Sequence, residues 1–214
     1  MSRYATVLAL LVVAAAAPAT HADNVTTYGA GLRSCRAYLE TRDGNIAEQV
    51  PFVDWLSGYV SAVNRTSNHR NNMLGLTHLN EALARLDDDC RARPGLHFAE
   101  AAGLLVMGSK PGPATHTIGT TTYGSADKSC QMFVEARDQQ EAAYWAEFRD
   151  WLGGYLSGVN AMSLRTSNVL GDTELADAIH WLDSFCTAHP VTPFGAAVDA
   201  LVAAGPGRDG GPVP

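Results

Sequence analysis

Phe52-Val53-Asp54-Trp55-Leu56-Ser57-Gly58-Tyr59 returns 96 positions later as Phe148-Arg149-Asp150-Trp151-Leu152-Gly153-Gly154-Tyr155. In both stretches the aromatic and aliphatic residues recur at three- and four-residue steps, which is the period of an α-helix with one buried face. The pair predicts two long amphipathic helices, and their likeness indicates that the chain repeats itself.

The repeat extends outward in both directions from these helices. The Thr-Thr-Tyr-Gly run at 26–29 returns at 121–124, the Ser-Cys pair at 34–35 returns at 129–130, and the Leu-Asp-x-x-Cys run at 86–90 returns at 182–186. A period this long indicates a duplicated domain rather than a short solenoid unit. The sequence therefore predicts an all-α protein with two tandem copies of a small disulfide-stapled helical bundle, at 24–107 and 119–204, joined by a Gly- and Pro-rich linker at 108–118.

Further expectations concern the helix ends and the remaining elements of each copy. Ser34 and Ser129 are predicted to cap the first helix of each copy, and Pro51 is predicted to lie in the first turn of the first Trp helix. Asn64 and Asn160 are expected to end the Trp helices in a left-handed conformation. A polar loop then runs to Gly75 or Gly171, a third helix to the second Cys of each copy, and a last helix covers 98–106 or 194–203.

The first residues predict export. Arg3, an apolar run over 5–17 and a small-residue site ending at Ala22 are typical of a secretory signal peptide, here 1–22. We therefore expect a periplasmic protein with no membrane anchor after signal cleavage. The Gly- and Pro-rich tail at 205–214 is expected to be disordered.

In an exported chain, four cysteines favour disulfides. Four cysteines allow three pairings. Each copy holds one Cys before its Trp motif and one after it, so Cys35–Cys90 and Cys130–Cys186 give both copies the same bridge.

Charge and motif content exclude several classes of function. A formal net charge of −7 with no basic stripe argues against nucleic acid as a partner. No metal-binding spacing, phosphate loop or nucleophile motif occurs, and the two copies share no histidine. His180 and Asp183, three positions apart, are the best candidate catalytic pair, but we expect a protein that is not an enzyme and has no cofactor and no metal.

A binding role is the remaining hypothesis. The candidate residues are the repeated aromatic and amide side chains Trp55, Tyr59, Asn64, Trp151, Tyr155 and Asn160. Aromatic residues supply rigid contact area, although a stripe at helical spacing is more often core. The polar loops after the Trp helices differ between the copies, and their candidates for partner contact are Arg65, Asn68, His69, Arg70, Arg165, Ser167 and Asn168.

These motifs resemble a known group of bacterial proteins. Ser129-Cys130-x-x-Phe133, Trp151-Leu152-x-Gly154-Tyr155-x-Ser157 and Cys186-x-x-x-Pro190, each with its counterpart in the first copy, are similar to the HdeA/HdeB family of small periplasmic proteins. The resemblance implies a helical fold closed by one disulfide per copy and an acid-stress holdase chaperone that binds unfolding clients. The chain also resembles, more loosely, the Tai-type immunity proteins, which implies binding to a type VI secretion effector.

Overall fold

A computed structural model describes residues 25–67, 72–75, 78–109, 121–139 and 142–205. This part of the chain is all-α: it contains no strand, only the isolated bridges Ser34–His97 and Ser129–Pro193. The predicted signal peptide, nearly all of the predicted linker and tail, and the loop residues Asn68, His69 and Arg70 lie outside the described residues.

The two halves present their helices in the same order. The first half has a short 3-10 helix (Gly29–Leu32), α1 (Cys35–Arg42), α2 (Ile46–Thr66), α3 (Leu79–Ala92) and α4 (Phe98–Gly108). The second half has a 3-10 helix (Gly124–Asp127), α5 (Cys130–Asp138), α6 (Ala142–Met162), α7 (Leu175–Ala188) and α8 (Phe194–Ala204). The predicted third and last helices are therefore present, displaced by one or two residues at their ends.

Capping follows the sequence at α1 and α5 but not at α2. Ser34 and Ser129 accept hydrogen bonds from the amides of Ala37 and Met132, as predicted. The expectation for Pro51 is wrong, because α2 begins five residues earlier, where the Asn45 side chain caps it. Proline has no N–H, so α2 tolerates one missing backbone bond within its second turn.

The two predicted disulfides are confirmed. Cys35–Cys90 ties α1 to α3, and Cys130–Cys186 ties α5 to α7. A carboxylate strengthens each tie: Asp87 accepts the Tyr38 hydroxyl at 2.6 Å and pairs with Arg42 at 2.8 Å, and Asp183 pairs with Arg137. Each half is thus closed by one covalent and one ionic link between the same two helices.

Each half packs its own cluster of buried side chains, and each cluster also takes side chains from the other half. Tyr123 packs against the cluster of the first half, while Tyr28 and Ala62 belong with the cluster of the second. In the described part of the chain, no helix has the length and apolar character needed to cross a bilayer.

Candidate functional site

The two Trp helices, α2 and α6, pack directly against each other along glycine. A Cβ added at Gly58 would lie 2.0 Å from the Trp151 carbonyl oxygen, and one at Gly154 would lie 1.8 Å from the Trp55 carbonyl oxygen. Farther along, a Cβ at Gly158 would lie 2.7 Å from the Tyr59 carbonyl oxygen. Because the contacts advance in the same direction on both helices, the helices run parallel, with backbone against backbone. We call this contact between α2 and α6 the seam.

Two extended segments cross the seam, and we name them the first strap (26–28) and the second strap (121–123). The indole N–H of Trp55 donates to the Tyr28 carbonyl at 2.7 Å, and that of Trp151 donates to the Tyr123 carbonyl at 2.7 Å. Each Trp therefore holds the strap of its own half by one backbone oxygen.

The opposite half holds the other side of each strap. The Tyr28 amide donates to Ser157 Oγ at 2.9 Å, and the Tyr123 amide donates to Ser61 Oγ at 2.9 Å. The Tyr28 hydroxyl donates to Asn168 Oδ1 at 2.8 Å. The strap of each half is therefore hydrogen-bonded to the long helix of the other half.

Asn64 and Asn160 complete this exchange, and the expectation that they end their helices is wrong. Asn160 lies inside α6, donates from Nδ2 to the Thr26 carbonyl at 2.9 Å and accepts the Val169 amide at 2.7 Å. Asn64 makes the equivalent bonds to Thr121 and Met73. Both are about 1 % exposed. A buried amide that satisfies two backbone groups is better placed within a helix than at its frayed end.

All six repeated candidates for binding therefore lie in the core. Trp55, Trp151 and the two Asn are at most 1 % exposed, and Tyr59 and Tyr155 are 5 % and 3 % exposed. Each tryptophan stacks on the tyrosine that follows it, with ring centroids about 5 Å apart. Their observed contacts hold the seam, and contact with a partner stays a prediction.

A pair of carboxylates lies one turn before the seam glycines. The pKa of Asp54 is raised to about 7, chiefly by burial and in smaller part by the negative charges of Glu147 and Asp150, while Lys128 opposes the rise. Burial also raises the pKa of Asp150, against the opposing effect of Arg149 and Arg33. Asp54 Oδ2 is buried without a hydrogen-bond partner among the described residues. A neutral carboxylic acid suits this environment better than a carboxylate.

The candidate catalytic pair is not assembled. Asp183 is committed to Arg137 across the gap between α7 and α5, and no bond joins it to His180. Among the described residues, no group of three or more His, Cys, Asp or Glu side chains is arranged to hold a metal.

Two cavities lie away from the carboxylates. One, of about 460 Å³, is lined by Tyr59, Ser157, Ala161 and residues of the first strap, the first 3-10 helix and the start of α4. The other, of about 670 Å³, is lined by the loop after α6, including the predicted contact residues Arg165 and Asn168. Ser167 is used internally, because its carbonyl accepts the Thr26 amide at 2.8 Å.

The seam and the first cavity were missed in the sequence. Two signals pointed to the seam: serine and asparagine recur at inward-facing positions of both Trp helices, and the Thr-Thr-Tyr-Gly run repeats outside any helix. Repeated polar residues on an apolar face require polar partners, which here come from the other half.

Comparison with known proteins adds no family: no family model, curated protein or solved structure matches the chain.

Proposed function

We propose that this chain is a periplasmic protein-binding protein that acts in its folded state and is not an enzyme. The observation that carries the proposal is the internal use of the repeated motif. The straps and loops of the chain itself accept or donate the hydrogen bonds of four repeated side chains, namely Trp55, Asn64, Trp151 and Asn160. The repeated residues build a scaffold, so binding falls to the surfaces in which the halves differ.

Those surfaces carry groups suited to a protein partner. Leu164, in the loop after α6, is fully exposed, and it neighbours Arg165 on the rim of the larger cavity. The corresponding position in the first half is Asn68. Arginine is enriched at protein–protein interfaces, and the exposed leucine beside it adds apolar area for a partner to bury.

The compartment in the proposal rests on the predicted signal peptide and on the two disulfides. Disulfides persist in oxidising compartments, so the bonds are compatible with a secreted or periplasmic protein. The resemblance to Tai-type immunity proteins suggests one form of this function, in which the partner is a secreted effector.

An acid-stress holdase, as the resemblance to HdeA/HdeB implies, is the second candidate. The observation that favours it is the number of ion pairs between helices, namely Arg42–Asp87, Arg65–Asp199 and Arg137–Asp183. In strong acid the carboxylates are protonated, the pairs are lost and the positive charges repel one another. The bundle would then open within the limits set by its disulfides and expose apolar surface to clients.

One capture experiment separates the two candidates. The mature protein is immobilised and incubated with periplasmic extract at neutral pH and at about pH 3, and the bound proteins are quantified by mass spectrometry. The proposal expects one stoichiometric partner at neutral pH. Many clients in acid alone favour the holdase, and no capture under either condition contradicts both.

A variant pair sharpens the test. Leu164→Ser should reduce capture of the partner at neutral pH, because it removes the exposed apolar contact. Val191→Ser, in the turn between α7 and α8, is the matched control because Val191 is also exposed, at 87 %. Equal loss in both variants would contradict a site in the loop after α6.

A further inference from the structure

The two halves differ in the surroundings of one pair of corresponding tyrosines, Tyr59 and Tyr155. In the second half, the Tyr155 hydroxyl donates to Asp199 on α8, and Asp199 also pairs with Arg65, which reaches across the seam from the end of α2. This cluster joins a phenol, a carboxylate and a guanidinium.

The first half has the tyrosine but lacks both of its partners. Tyr59 corresponds to Tyr155, while Gly103 stands where the other half has Asp199, and Ala161 stands where it has Arg65. A Cβ at Gly103 would lie 3.6 Å from the Tyr59 hydroxyl oxygen, so no side chain intervenes. Tyr59 and Ala161, the counterparts of Tyr155 and Arg65, both line the cavity of about 460 Å³.

The Tyr59 hydroxyl therefore faces the cavity without a hydrogen bond to a described residue. The residue is 5 % exposed, lines the cavity and has no hydrogen bond to another described residue. Burial raises the pKa of Tyr59 to about 12, so the phenol keeps its proton and offers a neutral oxygen. A hydroxyl that opens onto a cavity and has no protein partner is available to a ligand with a polar atom at this point.

In the described part of the chain, the cavity is lined by a carboxylate but by no guanidinium. Glu100, one turn before Gly103 on α4, lines it, where the other half has Ala196. One Glu100 oxygen accepts the His97 amide at 2.8 Å, and the other has no partner among the described residues. Val25, Leu32, Ala99 and Ala161 supply apolar walls.

We propose that this cavity binds the side chain of an arginine from a partner protein. The guanidinium pairs with Glu100 and donates to the Tyr59 oxygen, and the methylene stem lies against the apolar walls. Arg65 shows that the equivalent space in the second half accepts an arginine from outside that half. The proposal rests on the proposed function, since it assigns to the protein partner the residue that enters this site.

The test uses N-acetyl-arginine amide and its uncharged isostere, N-acetyl-citrulline amide, titrated into the full mature chain and followed by NMR. Saturable shifts are expected at the amides of Thr27 and Ala161, with arginine binding about five-fold tighter than citrulline because the ion pair is partly exposed. Equal binding of the two probes, or shifts that do not saturate at these amides, would overturn the proposal.

Three variants complete the design. Glu100→Gln should reduce arginine binding to the level of citrulline while keeping the cap on the His97 amide, since Gln also accepts there. Ala161→Arg should abolish binding by filling the cavity as Arg65 fills its counterpart. Glu81→Gln, an exposed acid on α3 outside the cavity, is the matched control and should change nothing. If Ala161→Arg does not fold, Glu100→Gln against Glu81→Gln decides the result, and identical affinities there count against the site.

The probes also keep the two proposals apart. If the arginine probe does not bind but the neutral-pH capture yields a partner, the proposed arginine site is refuted and the proposed function is not. Binding of the probe with no captured partner contradicts the function, and the cavity then keeps its guanidinium preference without a protein to supply it.

Discussion

The seam between α2 and α6 makes a quantitative prediction for Gly154→Ala. The new Cβ would lie 1.8 Å from the Trp55 carbonyl oxygen, whereas real Cβ contacts essentially never fall below 3.0 Å, so the helices must separate by about 1.2 Å, the difference between the two distances. The opposing atoms belong to backbone, so no side chain can rotate away.

Overpacking of this kind costs about 3 kcal/mol at the upper end of its usual range. Replacing glycine by alanine within a helix returns about 1 kcal/mol of helix propensity. We therefore expect Gly154→Ala to lower the free energy of unfolding by about 2 kcal/mol, measured by urea denaturation followed by circular dichroism.

Gly153 provides a matched control on the same helix. A Cβ there meets only ordinary contacts, the nearest at 3.6 Å from the Tyr28 side chain. Gly153→Ala should therefore be neutral or stabilising by up to about 1 kcal/mol. If Gly154→Ala is as stable as wild type, or if the two variants lose the same amount, the close packing of the seam is refuted. If Gly154→Ala does not fold, Gly158→Ala can replace it in the comparison. Its Cβ would lie 2.7 Å from the Tyr59 carbonyl oxygen, so the expected loss of stability is smaller.

Three further predictions concern the seam and the staples. Asn160→Ala should cost about 2–3 kcal/mol in urea denaturation, because it leaves two backbone groups unpaired inside the protein, whereas the exposed Asn80→Ala should be neutral. The folded-state pKa of Asp54 is about 7 against an ordinary 3.8, so the native state binds a proton that the unfolded state releases, and the free energy of unfolding should rise by about 2 kcal/mol as pH falls from 8 to 5. Asp54→Asn should flatten this pH profile, and an equally steep profile in the variant would show that another group is responsible. Replacing both Cys35 and Cys90 by serine should cost about 4 kcal/mol, given the loop of 55 residues, and an unchanged melting temperature would contradict a structural staple.

The sequence predicts the features that depend on local spacing. Helical periodicity places the helices, because the buried face of each is written in residues three and four apart. The symmetry of the repeat selects the pairing of the cysteines, because only one arrangement gives both halves the same bridge.

The exchange of straps depends on contacts that local spacing does not encode. The partner of the Asn160 amide is Thr26, 134 positions away, and that of the Asn64 amide is Thr121, 57 positions away. Asparagine near the end of an apolar helical stretch has the same local pattern whether it ends the helix or lies inside it. Its correct placement requires the other half of the chain.

Pro51 and the carboxylates illustrate a second kind of limit. Pro51 favours a helix start, but Asn45 supplies a side-chain cap earlier, and α2 begins there. Asp54 and Asp150 look like solvated residues at the polar edge of a helix, and only the contact of α2 with α6 brings them into a site where burial raises the pKa of both.

Hydrogen exchange of the tryptophan indoles in the intact protein tests most directly whether the repeated motif is a scaffold that joins the halves. Trp55 and Trp151 each donate an indole hydrogen bond at the seam, whereas Trp145 and Trp181, both partly exposed, have no such bond among the described residues. We expect the Trp55 and Trp151 indoles to exchange with equal protection, close to the free energy of global unfolding, and the other two to exchange much faster. Exchange of one seam indole through an opening that leaves the other protected would show that the halves unfold separately and would contradict the account.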